Sequence, residues 1–236
     1  MKLSLFSLLL FPLLFLGCGS SNSTGNQTYT DASYVFVNAR LTSNSASFIS
    51  KFEADGNIFK TVTTKYISSS DANITWEDNA SKRLYLSQDF EEINASIESL
   101  LTDRKLISLS IGNKNSSTLP LLEIKGPVKD DLVNNKAIIK VIHGANLEEY
   151  TKVTVKVEPS QLDTGPMEYR DSTPSWREIL TGDNKLFNIL DDRGIIINGG
   201  QETFNLYAKR AYILVIYESA EVEDTPFLMM VDVTPN

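Results

Sequence analysis

From residue 31 onward the apolar side chains recur at every second position, the period of a half-buried strand. Tyr34-Val35-Phe36-Val37 forms a short apolar run. Phe48, Ser50 and Phe52 alternate with Ile49 and Lys51, and Val62, Thr64 and Tyr66 keep the same phase. Further strands are predicted over residues 83–86, 105–111 and 119–124. The second half continues with residues 137–142, the cleanly alternating 152–157, then 195–197, 203–207, 211–217 and 227–233. Polar separators fall at 42–47, at Asp55-Gly56-Asn57, at 68–73 and at 112–117. Many short strands with frequent turn signals predict an all-β chain of antiparallel sandwiches or barrels.

Two segments depart from this period. Residues 89–101 place Phe90, Ile93, Ile97, Leu100 and Leu101 at helical spacing, with Asp89 and Glu92 as a capping-box-like pair. Residues 172–180 hold Pro174 where a helix would start. One or two short helical turns are expected there, with strand as the alternative for part of 89–101. Residues 164–184 otherwise read as a long loop, and loops of that length carry function more often than cores do.

The halves also resemble each other. A shift of 105 positions lays Phe36-Val37 on Val141-Ile142 and Lys51-Phe52-Glu53 on Lys156-Val157-Glu158. The same shift lays Leu101 on Leu206, Leu109 on Leu214 and Ile111 on Ile216. A tandem duplication is the reading, with one domain over residues 31–125 and a second over 136–236. Gly126-Pro127-Val128-Lys129-Asp130-Asp131 has linker character between them.

The N-terminus has a different logic. Met1-Lys2 is a short positive region, and residues 3–16 are almost wholly apolar. That run suits a signal-peptide core and is short for a bilayer span. It closes at Leu14-Phe15-Leu16-Gly17-Cys18, which resembles the lipobox of bacterial lipoproteins. The resemblance implies a signal peptide over 1–17, cleavage before Cys18, and acylation of Cys18, palmitate included. With Gly19 and no Asp after the cysteine, it implies an outer-membrane destination. Stable anchoring takes about two acyl chains at roughly 0.8 kcal/mol per methylene, and a lipoprotein N-terminus carries three. The polar residues that follow make 18–30 a flexible tether. Its polar stretch reaches about 40 Å when extended and about 20 Å as a coil.

Composition narrows the chemistry. The 236 residues carry 30 acidic against 22 basic side chains, a net charge of −8, so a phosphate backbone is repelled and nucleic-acid binding is disfavoured. Losing residues 1–17 removes Lys2 and leaves about −9. One Cys excludes a disulfide within the chain, and one His leaves little for zinc or imidazole catalysis. No cofactor and no metal is expected.

Ala137-Ile138-Ile139-Lys140-Val141-Ile142-His143-Gly144-Ala145, the alternating strand after it, and Asn205-Leu206-Tyr207-Ala208-Lys209-Arg210-Ala211-Tyr212 running into Ile213-Leu214-Val215-Ile216 suggest a family. The pattern resembles a bacterial secreted domain of unknown function, number 4397. In that family an opening strand ends in His-Ala-Ser-Pro, and a late strand follows a Gly-Lys-x-Tyr-type turn. The resemblance spans residues 32–125 and 136–235, with Asn38 standing in the first unit where His143 stands in the second. It implies an immunoglobulin-like β-sandwich and export, and brings no activity.

Site candidates are few. His143, in phase with Ile139 and Val141, reads as a structural strand-end residue, and no nucleophile elbow accompanies it. Asp130-Asp131, Glu148-Glu149, Asp191-Asp192 and Glu221 with Glu223-Asp224 read as solvated surface, with Asp191-Asp192 the best place for a weak calcium ion. Trp76, in phase with Ile74, reads as core. Trp176, in the irregular loop, is the candidate ligand contact, and Tyr85, Tyr150, Tyr169 and Tyr207 are further surfaces for a sugar ring.

These readings converge on a non-enzymatic, lipid-anchored cell-envelope protein. It meets the membrane through its N-terminal lipid and binds or assembles with a saccharide or an envelope protein. The alternatives are a secreted hydrolase or lyase that uses carboxylates on envelope saccharide, and a purely structural spacer.

Overall fold

The computed structural model describes residues 28–42, 46–88, 91–96, 102–112, 121–159, 161–219, 222 and 225–236. The signal peptide, Cys18, nearly all of the tether, Leu101 and Glu221 with Glu223-Asp224 lie outside them.

Eight strands build the first body: β1 (Tyr29–Asn38), β2 (Phe48–Ala54), β3 (Asn57–Thr64), β4 (Ser68–Glu77), β5 (Lys82–Gln88), β6 (Glu91–Ser96), β7 (Lys105–Ser110) and β8 (Leu121–Lys125). They form two four-stranded sheets, β4-β1-β7-β8 and β3-β2-β5-β6. The chain crosses to the second body over 126–135, which includes a single 3₁₀ turn at Lys129–Asp131. There β9 (Lys136–His143), β13 (Arg177–Leu180), β16 (Ala211–Glu218) and β17 (Pro226–Asp232) form the sheet β13-β9-β16-β17. Facing it is a sheet of β10 (Lys152–Val157), β14 (Gly182–Leu190) and β15 (Ile196–Leu206), with the two-residue strands β11 (Leu162–Asp163) and β12 (Met167–Glu168) on its β10 edge.

The two bodies repeat one strand order. In each, the opening strand lies inside its sheet, antiparallel to one neighbour and parallel to the other: β1 pairs with β4 and β7, and β9 with β13 and β16. An immunoglobulin sandwich puts its first strand at the edge of the ABED sheet. The strand order here differs from that arrangement, and what stands is two all-β sandwich-like bodies.

Facing residues correct the gapless shift of 105. Phe36 and Val141 both point into their own cores, as do Phe52 and Val157. But Val37 pairs with Leu109, and its counterpart Ile142 pairs with Val215, so Leu109 matches Val215 at a shift of 106. A shift of 105 laid Leu109 on Leu214, which faces the opposite side of its sheet. One residue of register reverses every side chain in a strand.

Burial explains which strands read as continuous apolar runs. A central cluster joins Val35, Val37, Ile107, Leu109 and Ile111 to Ile138, Ile142, Ile213, Val215 and Val231. The inner sheets of the two bodies therefore pack on each other, and the described residues form four sheet layers. The second half of β1, with β9 and β16, is buried on both faces and reads as nearly continuous apolar runs, broken inside β9 by Lys140, as parallel pairs usually do. The outer β10 has one wet face and alternates strictly. The first core is aromatic, with Tyr34, Phe36, Phe48, Phe52 and Trp76, whereas the second is mostly aliphatic.

The described parts of both segments are not helical, and Asp89, Phe90, Ile97, Leu100 and Leu101 lie outside the described residues. Glu91–Ser96 is a strand paired with β5, because Leu84 and Leu86 offer an open ladder beside it. Residues 172–180 hold no helical turn: Ser172 bridges Ile142, the chain bends at Pro174 and Ser175, and Arg177–Leu180 pairs with β9. Thr173 exchanges hydrogen bonds with Val141 at 2.9 and 3.2 Å, so this stretch of the long loop is stitched onto the sheet. Residues 68–73, expected as a separator, open β4 at a sheet edge, where the backbone ladder to β1 is joined by Ser33 donating to Asn73 at 2.8 Å.

Candidate functional site

The described chain enters at one end of the stack. Tyr29 starts β1 there, and the C-terminal Asn236 side chain donates to Ser33 Oγ at 2.9 Å. Ten residues of β1 run about 30 Å to the opposite end. At this distal end β1, β7, β9 and β16 all finish, and it is where buried polar side chains collect.

In the first body Asn38 donates to the carbonyls of Ala46 at 3.0 Å and Thr64 at 3.2 Å. It accepts from Gln88 Nε2 at 2.9 Å, and Ser110 donates to the other end of the Gln88 amide. Arg40, 4% exposed, reaches Glu91 at 2.9 Å. The bodies join through the Gly112 amide, which donates to the Gly144 carbonyl at 2.7 Å, and through Tyr66 Oη, which donates to the Glu218 carbonyl at 2.6 Å. A Cβ at Gly144 would stand 2.9 Å from Ile111 Cγ2 and 3.0 Å from the Ile216 carbonyl oxygen, so only glycine permits this approach. Beside the Tyr66 contact, Ile67 holds φ at +52°, a strained value for a β-branched residue.

His143 ends β9 in the second body. It is 1% exposed, and neither ring nitrogen has a hydrogen-bond partner. Burial pushes the imidazole down to about 4, against a smaller opposing pull from the Asp171 carboxylate. The ring is therefore neutral at pH 7. It forms part of a cavity of about 310 Å³ with Asn146, Tyr150, Lys152, Glu168 and Tyr169.

The other candidates are dispersed. Trp176 is half-buried and packs against the cluster between the bodies, with its loop pinned by Ser172 and Thr173. Trp76 is fully buried and donates to Tyr34 Oη at 3.3 Å. Tyr85 is half-buried on β5, and Tyr207 is exposed at the end of β15. Asp191 accepts from the Arg193 and Ile195 amides at 3.0 and 2.8 Å and from the Arg193 guanidinium. These bonds, the Ile195 amide foremost, hold its carboxyl below the usual range, and its oxygens are engaged in shaping the turn. Among the described residues no group of three or more acidic, His or Cys side chains is placed to hold a metal ion.

A second cavity, of about 510 Å³, lies at the entry end where the linker passes the first body. Asp31, Asp103 and Asp130 line it together with Arg104, Lys105 and Lys129. Arg104 binds Asp103 at 3.0 Å and holds its carboxyl low, the reverse of what a general acid needs.

The pattern reading passed over the distal polar set. Its signal is phase: Asn38 follows Tyr34 and Phe36, Gln88 follows Leu84 and Leu86, and Ser110 follows Leu106. Each is a polar residue on an inward-facing position.

No family model matches the chain, and no curated protein does. Among solved structures the chain is similar to the tip fimbrial protein Mfa3 from Porphyromonas gingivalis, truncated at its C-terminus. The identity is 10%, over 86% of this chain and 99% of that one, with a TM-score of 0.25. It is also similar to a leucine-rich repeat protein from Bacteroides thetaiotaomicron, at 11% identity over 84% of this chain and 27% of that one, with a TM-score of 0.19. Superpositions this slight assign neither a fold family nor a role to the chain.

Proposed function

We propose that this chain is a non-enzymatic, lipid-anchored protein of the bacterial cell envelope, destined for the outer membrane, that binds or assembles through the end of its β stack remote from the anchor. The observation that carries the reading is Cys18, the single cysteine, set at the close of an apolar secretory run and followed by a polar tether. The geometry supports it from the other side. The chain leaves the tether at Tyr29, and β1 carries the distal polar end about 30 Å away from that point. The distal end, with the cavity that His143 lines, then stands on the side of the molecule away from the lipid.

Catalysis fits less well. A relay histidine needs a hydroxyl on one nitrogen and a carboxylate on the other. His143 has neither bond. The carboxylates of the entry-end cavity are interleaved with cations.

Proximity labelling from the chain in intact cells tests this reading. Tagging confined to envelope proteins is expected. Tagging dominated by cytoplasmic proteins, or turnover of an envelope substrate that His143→Ala abolishes, would overturn it.

A further inference from the structure

Asn38 and His143 occupy the same place in the two bodies, at the end of the opening strand and in phase with the core. Asn38 is fully engaged by Ala46, Thr64 and Gln88. His143 is as deeply buried and has no partner on either nitrogen. Leaving a buried polar group unbonded costs about 1–3 kcal/mol, and native proteins rarely leave one without a reason. The first body closes this position with its own side chains. The second leaves the imidazole unpartnered and closed to bulk water in the wall of a cavity.

From this contrast we infer that the His143 cavity binds a neutral, hydroxyl-rich ligand, a hexose unit of an envelope saccharide. The inference rests on the reading of the chain as an envelope binding protein and names the ligand class for it. A neutral imidazole presents one donor and one acceptor. A sugar hydroxyl, itself donor and acceptor, matches that pair, whereas a carboxylate offers only acceptors and a phosphate brings charge that the neutral ring does not offset. The rim has no net charge to attract an anion, since Lys152 is paired with Glu168 at 3.0 Å. Tyr150 and Tyr169 supply aromatic faces for a pyranose ring, and about 310 Å³ lies at the small end of ligand sites, suited to one sugar unit. Trp176 packs against the central cluster and takes no part in this cavity.

The test is calorimetric titration of the full chain, held in a detergent without a sugar head group. The probes are glucose, galactose, mannose, N-acetylglucosamine and their β-linked disaccharides, with glucuronate and inorganic phosphate as anionic competitors. Saturable binding of a neutral probe is expected, weakened tenfold or more by His143→Leu and by the rim change Tyr150→Ala, and changed less than twofold by Trp176→Ala. The Tyr150 variant keeps the test decisive if the His143 variant does not fold. Absence of binding by every neutral probe, displacement by the anions, or binding that survives both cavity variants would overturn the inference. A chain that binds no sugar yet labels envelope proteins in intact cells sinks this proposal alone. Labelling of cytoplasmic proteins sinks the reading on which it rests.

Discussion

His143 is where single-residue chemistry is most exposed to measurement. Its folded value lies near 4, below the ordinary 6.5, so the fold prefers the neutral ring. The stability tied to that preference is complete above about pH 6.5 and is lost as pH falls toward 4. The drop is worth roughly 3 kcal/mol. Urea denaturation of the wild type and His143→Leu at pH 7.5 and 4.5 should show the variant losing about 2–3 kcal/mol less across that interval. Equal losses would show that the ring titrates normally in the fold. The residue's place was legible, because its phase with Ile139 and Val141 marks it as inward-facing. Its lack of partners was not, since that depends on the turn from Glu168 to Asp171, which only the folded chain brings alongside.

The elements divide into inner and outer kinds, and most of that division is written in the residues. Strict alternation in Lys152–Val157 marks a strand with one wet face, and the unbroken run in Ala211–Glu218 marks one buried on both. Asp55 and Gly56, with φ of +48° and +81°, form the two-residue turn that an Asp-Gly pair favours in a hairpin. The pattern misled where apolar residues are sparse. Residues 89–101 carry a helical spacing, yet the free edge of β5 wins for Glu91–Ser96, since pairing there completes the β5 ladder and an isolated short helix is marginal in water. At the junction of elements Gly144 is the sensitive point. Gly144→Ala should cost about 1–3 kcal/mol, because the new methyl meets a backbone oxygen that cannot swing aside. Denaturant midpoints of the two proteins check this, and coincident midpoints would contradict the close approach.

At the scale of the whole molecule the central cluster makes the two bodies depend on each other. Pulling them apart would expose Val35, Val37, Ile107 and Leu109 on one side and Ile138, Ile213, Val215 and Val231 on the other, a contiguous apolar surface that soluble chains avoid. Calorimetry should therefore show a single unfolding transition. Ile213→Ala should lower it as a whole, by about 2–4 kcal/mol. Two separate transitions, with only the later body affected, would show independent units. The repeat was legible in outline from Phe36 and Val141, but the stacking of the inner sheets was not. A pattern of apolar positions records that a face is covered and is silent on what covers it.

Anchoring remains the claim on which the function turns, and Cys18 decides it. Cells expressing the chain can be grown with radiolabelled palmitate and the mature protein analysed by mass. The account predicts a labelled chain beginning at residue 18 with an acylated cysteine, and no label in Cys18→Ala. An unlabelled wild-type chain, or one that still begins at Met1, would contradict it.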